Sequence, residues 1–208
     1  TQIDEILRSL GFPPFGEVAW GDGESLGKDV WLTQLSILCA DLIAYRSLQS
    51  LGIQPDIVAG HSFGEFPALA AAGIWDARNA ILGTRARCDA IEACRDVRGQ
   101  MLSVAAAGPQ VEQLCHDVGG HVYPANYNSP EQTVVGGDGE GIARLVERLQ
   151  SGKIASKALA VPRPFHTPLM EAVKAPLAQG LQDVVFRTPR VPLLSSVTNR
   201  MVDSAEQA

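Results

Sequence analysis

Gly60-His61-Ser62-Phe63-Gly64 sets a serine between two glycines, directly after the short apolar run Ile57-Val58-Ala59. Directly after it comes EFPALAAAG, an Ala-rich segment that reads as a helix ended at Gly73. Strand, sharp turn and helix form the setting in which a serine hydroxyl becomes a nucleophile toward acyl carbon. Gly60 and Gly64 are expected to let strand and helix approach around a strained turn. Ser62 is left at the tip, and the helix start beneath it offers N–H groups and partial positive charge to an oxyanion. The motif supplies a nucleophile and no substrate: esterase, lipase, peptidase and acyltransferase all fit it.

A base must reach that hydroxyl, and the sequence offers His61, His116, His121 and His166. His61 adjoins Ser62, where neighbouring side chains diverge, so it reads as support for the turn. His116 falls on a surface helix and His121 at the start of a hairpin, and solvated roles suit both. His166 lies in the Pro-flanked loop PRPFHTP, the kind of segment that carries catalytic bases, and the residues favour it. No Asp or Glu stands out between Ser62 and His166 as a third member.

The elements that must position these groups follow from pattern. Residues 31–51 place Leu35, Leu38, Leu42, Tyr45 and Leu48 at helical spacing, ended by Gly52. A further helix is expected over 76–93, with Arg85 read as solvated on it. From about Gly99 the chain reads as a strand (MLSVAAA), a helix (PQVEQLCHDVG), two strands around Asn-Ser-Pro, a helix (GEGIARLVERLQSG) and a closing strand (IASKALAV). That β-α-β-β-α-β order is the ferredoxin-like unit. After it come a loop, a helix and a strand near VPLLSSVTN. The expected architecture is α/β: a hydrolase-like large subdomain with a parallel sheet, residues 1–98 and 162–208, carrying a ferredoxin-like small subdomain, residues 99–161.

The 208 residues are 46% hydrophobic and 19% charged, as in an ordinary globular protein. A net charge of −6 argues against a broad nucleic-acid-binding surface. Cys39, Cys88, Cys94 and Cys115 form no CxxC pair and no metal-ligand spacing, so free thiols in a reducing cytoplasm are expected, with no metal. No apolar run is long enough to span a membrane, and no signal peptide opens the chain. The opening TQIDEILRSL starts in helical pattern without Met, which suggests a domain excised from a longer polypeptide.

Several ordered segments together resemble the malonyl-CoA:acyl carrier protein transacylase family, and specifically the acyltransferase domains of type I polyketide synthases. TQLSILCADLIAYRSLQSLGIQPDIVAGHSFGE is similar to the family's run from a Thr-Gln pair through a helix to GHSxGE. Arg87 falls 25 residues after Ser62, where the family places its carboxylate-binding arginine. NYNSPEQTVVGG resembles its Asn-x-Pro-x-Gln hairpin, PFHTPLM its Phe-His-Ser-Pro-Leu-Met, and VPLLSSVTN its later P-hydrophobic-S-N-V-T strand.

The resemblance implies a Ser62–His166 dyad whose histidine is oriented by backbone carbonyls, which accounts for the missing acid. It implies an oxyanion donor in the Phe63 backbone N–H. Around the acyl group it implies a site including Arg87, Phe165, His61, Gln34 and Asn128, with Arg87 pairing with a malonyl carboxylate. Phe165 before the histidine, Phe63 after the nucleophile and Thr33-Gln34 upstream imply malonyl over methylmalonyl. No bound cofactor is implied. The substrates would be malonyl-CoA and the phosphopantetheine arm of an acyl carrier protein, and neighbouring domains such as a ketosynthase would be partners. Nothing in the sequence matches the family's opening Gly-Gln-Gly-x-Gln strand, and Arg163-Pro164 stand where it has His-Ala. Three other readings remain: a serine esterase or editing thioesterase on the same dyad, a stand-alone malonyl transacylase of fatty-acid synthesis, and a non-catalytic docking domain.

Overall fold

The computed structural model describes residues 2–20, 26–161 and 163–208; Thr1 and Pro162, where two expected subdomain limits fall, lie outside the described residues. In chain order the elements are α1 (Gln2–Ser9), α2 (Phe15–Trp20), α3 (Val30–Ser50), β1 (Val58–Ala59), α4 (Glu65–Ala71), α5 (Ala77–Ala93), β2 (Gln100–Val104) and α6 (Gly108–Val118). They continue with β3 (Val122–Ser129), β4 (Gln132–Gly137), α7 (Gly139–Ser151), β5 (Ser156–Leu159), α8 (Lys174–Gly180), β6 (Leu193–Ser195) and β7 (Arg200–Val202). Short 3-10 turns at Ser62–Gly64 and Pro168–Val173 lead into α4 and α8.

Two compact units result, residues 1–90 with 177–208 and residues 91–176. The sequence-based limits at 98/99 and 161/162 both fall inside the second unit. The reason is packing: the Pro164 ring lies on Gly99 and the Thr167 methyl on Gly136, so the return segment folds with the small sheet.

In the first unit, β1 pairs parallel with β6 (Val58 with Leu193, Ala59 with Leu194). β6 then pairs antiparallel with β7, so the sheet expected to be parallel has one reversed edge. The hairpin between β6 and β7 turns at Asn199, whose φ of 52° is the left-handed conformation that Asn tolerates better than most residues. Asp29 caps α3, its carboxylate accepting the Leu32 N–H at 2.7 Å. Leu35, Leu38, Cys39 and Leu42 of α3 are buried with Ala68, Leu69, Ile74, Trp75, Ile81 and Leu193 in one core. Leu48 departs from the expected buried stripe: it is 47% exposed, and Ile37 and Ile43 are exposed with it. Tyr45 instead ties α3 to α4, donating its hydroxyl to Ala71 O at 3.1 Å.

The second unit is the ferredoxin-like sandwich, with an antiparallel sheet in the order β3-β4-β2-β5. Alternation does the sorting: Leu102, Val104, Val122 and Val135 face Val111, Cys115, Ile142, Leu145 and Leu149 of the two helices. Asp138 caps α7 through the Gly141 N–H at 2.7 Å.

Candidate active site

The first unit builds the serine turn. Val58 N–H donates to Pro192 O at 2.9 Å, fixing β1 against the strand that precedes the turn's far support. His61 is still extended, with φ −107° and ψ 126°, and the chain then swings at Ser62 to φ 55°. Left-handed backbone at a non-glycine residue costs about 1–3 kcal/mol and persists only where the surroundings enforce it. Gly60 is part of that enforcement: a Cβ there would run into the Gly64 carbonyl and Glu65 N, so only glycine fits. Gly64 needs no such freedom, contrary to expectation: its φ is −58° and a Cβ would meet open space. The close approach belongs to Gly60 alone. Gly64 N–H donates to His61 O at 2.9 Å, and the Glu65 N–H to Ser62 O and Phe63 O, so Ser62 and Phe63 open a helical turn.

Aromatic packing holds that turn. Phe63 stacks on Phe66 with centroids 5.4 Å apart, Phe66 meets Trp75 edge-on at 5.3 Å, and Trp75 meets Phe186 at 5.3 Å. Arg87, on α5, places its guanidinium over the rings of Phe63 and Phe66, 5.6 and 5.9 Å from their centroids. Burial draws its pKa down from the ordinary guanidinium value, with the neighbouring Cys88 acting weakly the other way. A cation thus lies against the ring of the residue after Ser62. On the next position of α5, the Cys88 thiol donates to Gln34 Oε1 at 3.3 Å, and Gln34 is 8% exposed. Gln34 is thus tied to α5 at Cys88, while Phe63 lies beneath Arg87 of the same helix. His61 is exposed.

Sequence reasoning passed over Glu65. Its carboxylate accepts from Ser196 N at 2.5 Å, Ser196 Oγ at 2.7 Å and Ser195 Oγ at 3.4 Å, linking the start of α4 to the end of β6. The signal was available, since an acidic residue opens a helix directly after the serine turn.

The second unit carries the histidine. His166 is exposed and also left-handed, with φ 60°. Before it, Arg163 donates from Nη1 to Val97 O at 3.3 Å, and buried Pro164 packs on Gly99. Phe165 is half-buried, its N–H bonded to Arg163 O at 2.9 Å. After it, the buried Thr167 donates its hydroxyl to Pro164 O at 2.6 Å. Asn128 is exposed at the β3–β4 turn, giving its amide to Gln132 Oε1 at 3.1 Å. That turn is at the other end of β4 from Gly136, on which Thr167 sits. His116 and His121 are exposed, beside Asp117 and Tyr123 respectively.

The family described as "Acyl transferase domain" matches residues 15–207. The chain belongs to the acyl transferase domain family. It is 33% identical over 207 residues to the non-reducing polyketide synthase nscA of Neosartorya fischeri, a match covering 97% of this chain and 12% of that synthase's length. The malonyl CoA-acyl carrier protein transacylase of Coxiella burnetii superposes with a TM-score of 0.90 at 28% identity, over 99% of this chain and 67% of that one. A type II polyketide synthase acyl carrier protein in complex with its malonyl-transacylase gives a TM-score of 0.89 at 30% identity, over 99% and 68%.

In this acyl transferase domain the Arg85 side chain is 40% exposed, as expected of a solvated helix arginine, and it also lies 5.1 Å from the Trp31 centroid and pairs with Asp89 at 2.7 Å. Thr33 is occupied at the start of α3, donating to Asp29 O at 2.6 Å and accepting from Gly27 N at 2.7 Å. Among the described residues no helix is long and apolar enough to cross a membrane.

Proposed function

We propose that the chain transfers a malonyl group from malonyl-CoA, through an ester on Ser62, to the phosphopantetheine thiol of an acyl carrier protein, as part of polyketide assembly. The observation that carries this reading is the Arg87 guanidinium held on the Phe63 ring, within one residue of the left-handed serine. A neutral ester or thioester needs no cation there. A free carboxylate does, and guanidinium pairs with carboxylate through two parallel hydrogen bonds.

The mechanism is ping-pong. His166 accepts the Ser62 hydroxyl proton as the oxygen attacks the thioester carbonyl. The tetrahedral oxyanion is received by N–H groups at the opening of the helical turn, the Phe63 N–H first. The C–S bond breaks, coenzyme A leaves with the proton from His166, and malonyl-Ser62 remains. A pantetheine thiol then gives its proton to His166 and attacks the ester, and Ser62 regains its proton. By the family resemblance Gln34, His61 and Asn128 are assigned to substrate binding, and Phe165 to discrimination against an α-methyl branch. No cofactor or metal takes part. The match to only 12% of a polyketide synthase's length supports neighbouring domains as partners, and a ketosynthase among them and a cytoplasmic setting are part of the proposal.

Incubation with malonyl-CoA followed by intact-mass measurement tests the reading. A malonyl adduct is expected, absent in Ser62→Ala and discharged by holo acyl carrier protein. Free malonate without an adduct would overturn it in favour of a thioesterase, and no reaction in the full-length polypeptide would leave a docking domain.

A further inference from the structure

We propose that Thr167 is a positioning residue that fixes the backbone of His166 through a fitted contact with Gly136 of β4; this rests on His166 being the proton-transferring residue proposed above. The imidazole-bearing residue is exposed and its backbone left-handed, a conformation that the segment around it must hold.

Those residues form a closed strap. The Thr167 hydroxyl donates to the Pro164 carbonyl at 2.6 Å, closing a four-residue loop that has Phe165 and His166 inside it. Pro164 is seated on Gly99, where a Cβ would come within 2.6 Å of its Cγ. Thr167 is 7% exposed, and its methyl occupies the space above Gly136: a Cβ there would be 2.7 Å from Cγ2. Met170 N–H donates to Thr167 O at 3.0 Å and starts the following 3-10 turn. Gly99 flanks β2, and Gly136 pairs with Met101 of that strand, so both seats lie on adjacent strands of one sheet. The strap is thus pinned to a rigid surface at two points one loop apart.

Thr167 contributes two separable parts. Its hydroxyl closes the loop, and its methyl keys the loop to the sheet.

The test is a mutational cycle in the full-length polypeptide, read by the rate and KM of malonyl-Ser62 formation together with thermal melting. Thr167→Val keeps the methyl and removes the loop-closing bond; Gly136→Ala puts a methyl where Thr167 already has one. Each is expected to lower the acylation rate about 10²-fold, the effect of an ångström-scale misplacement, with KM for malonyl-CoA within about two-fold of wild type. Thr167→Ser retains the hydroxyl but loses the methyl's seat on Gly136, and its rate is expected to fall between those of wild type and Thr167→Val. The double variant Gly136→Ala/Thr167→Ser removes the clash and recovers the rate of Thr167→Ser. Wild-type rates in Gly136→Ala, or no recovery in a folded double variant, would overturn the proposal. If Thr167→Val fails to fold, the Gly136 pair still decides. His166→Ala is run alongside: wild-type acylation in that variant would overturn the role of His166 itself, independently of the strap.

Discussion

Glu65 takes both the backbone N–H and the hydroxyl of Ser196, at 2.5 and 2.7 Å, through a single carboxylate oxygen. The bond joins the helix that begins three residues after Ser62 to the strand that pairs with the one before it. Hydrogen bonds to a charged acceptor are worth roughly 1.5–3 kcal/mol, so Glu65→Ala is expected to lower unfolding free energy by about that much in urea titration. Ser196→Ala, which keeps the N–H, should lose about 1 kcal/mol. A Glu65→Ala protein as stable as wild type would show that the contact does not hold the turn.

Arg87 should govern which acyl group is loaded. Removing one partner of a buried charge pair costs about 2–5 kcal/mol, so Arg87→Ala is expected to slow malonyl loading at least 30-fold. Acetyl-CoA, which has no carboxylate, should then compete better. Parallel intact-mass time courses with the two thioesters measure the ratio, and an unchanged ratio counts against the assignment.

Phe165 is expected to discriminate by size. Phe165→Ser should raise methylmalonyl loading relative to malonyl by about 10–200-fold, the range for one methyl in an apolar pocket. The comparison is made on serine adduct formation, so carrier-protein recognition does not enter it.

Some of this was legible in the sequence and some was not, for physical reasons. The strand–serine–helix order and the βαββαβ unit were readable because each depends on local periodicity and on turn residues such as Asn128-Ser129-Pro130. Leu48 was misread because α3 has apolar residues on two faces, and spacing cannot say which face is packed. Arg85 and Arg87 are two residues apart on one helix, yet one stacks on Trp31 and the other on Phe63. Those partners come from distant segments, which no pattern local to α5 reveals. Glu65 was hidden for the same reason, its partners lying 130 and 131 positions away. The short β7 was missed because Asn199 closes its hairpin after a strand of only three residues.

The thiols yield a pH prediction. Burial is the largest influence on all three buried cysteines, pushing Cys39 and Cys88 up to about 12 and Cys115 to about 11. A folded value above the unfolded one (~8.5) leaves stability whole below about pH 8 and erodes it as pH rises toward the folded values. At pH 8, a thiol reagent should therefore label Cys94 quickly and the other three only in denaturant. Fast labelling of Cys88 in the native chain would contradict its packing on Gln34.

The aromatic series that braces the serine turn also makes the site optically audible. Trp75 is 3% exposed and touches Phe66, which lies under the Arg87 guanidinium. Its emission belongs at the blue end of the indole range, and a carboxylate that draws the guanidinium must disturb the ring next to it. With Trp20 and Trp31 replaced by Phe, Trp75 would be the one indole left, and excited apart from the tyrosines it would follow the proposed loading and discharge of Ser62 in real time, without a label or a coupled enzyme.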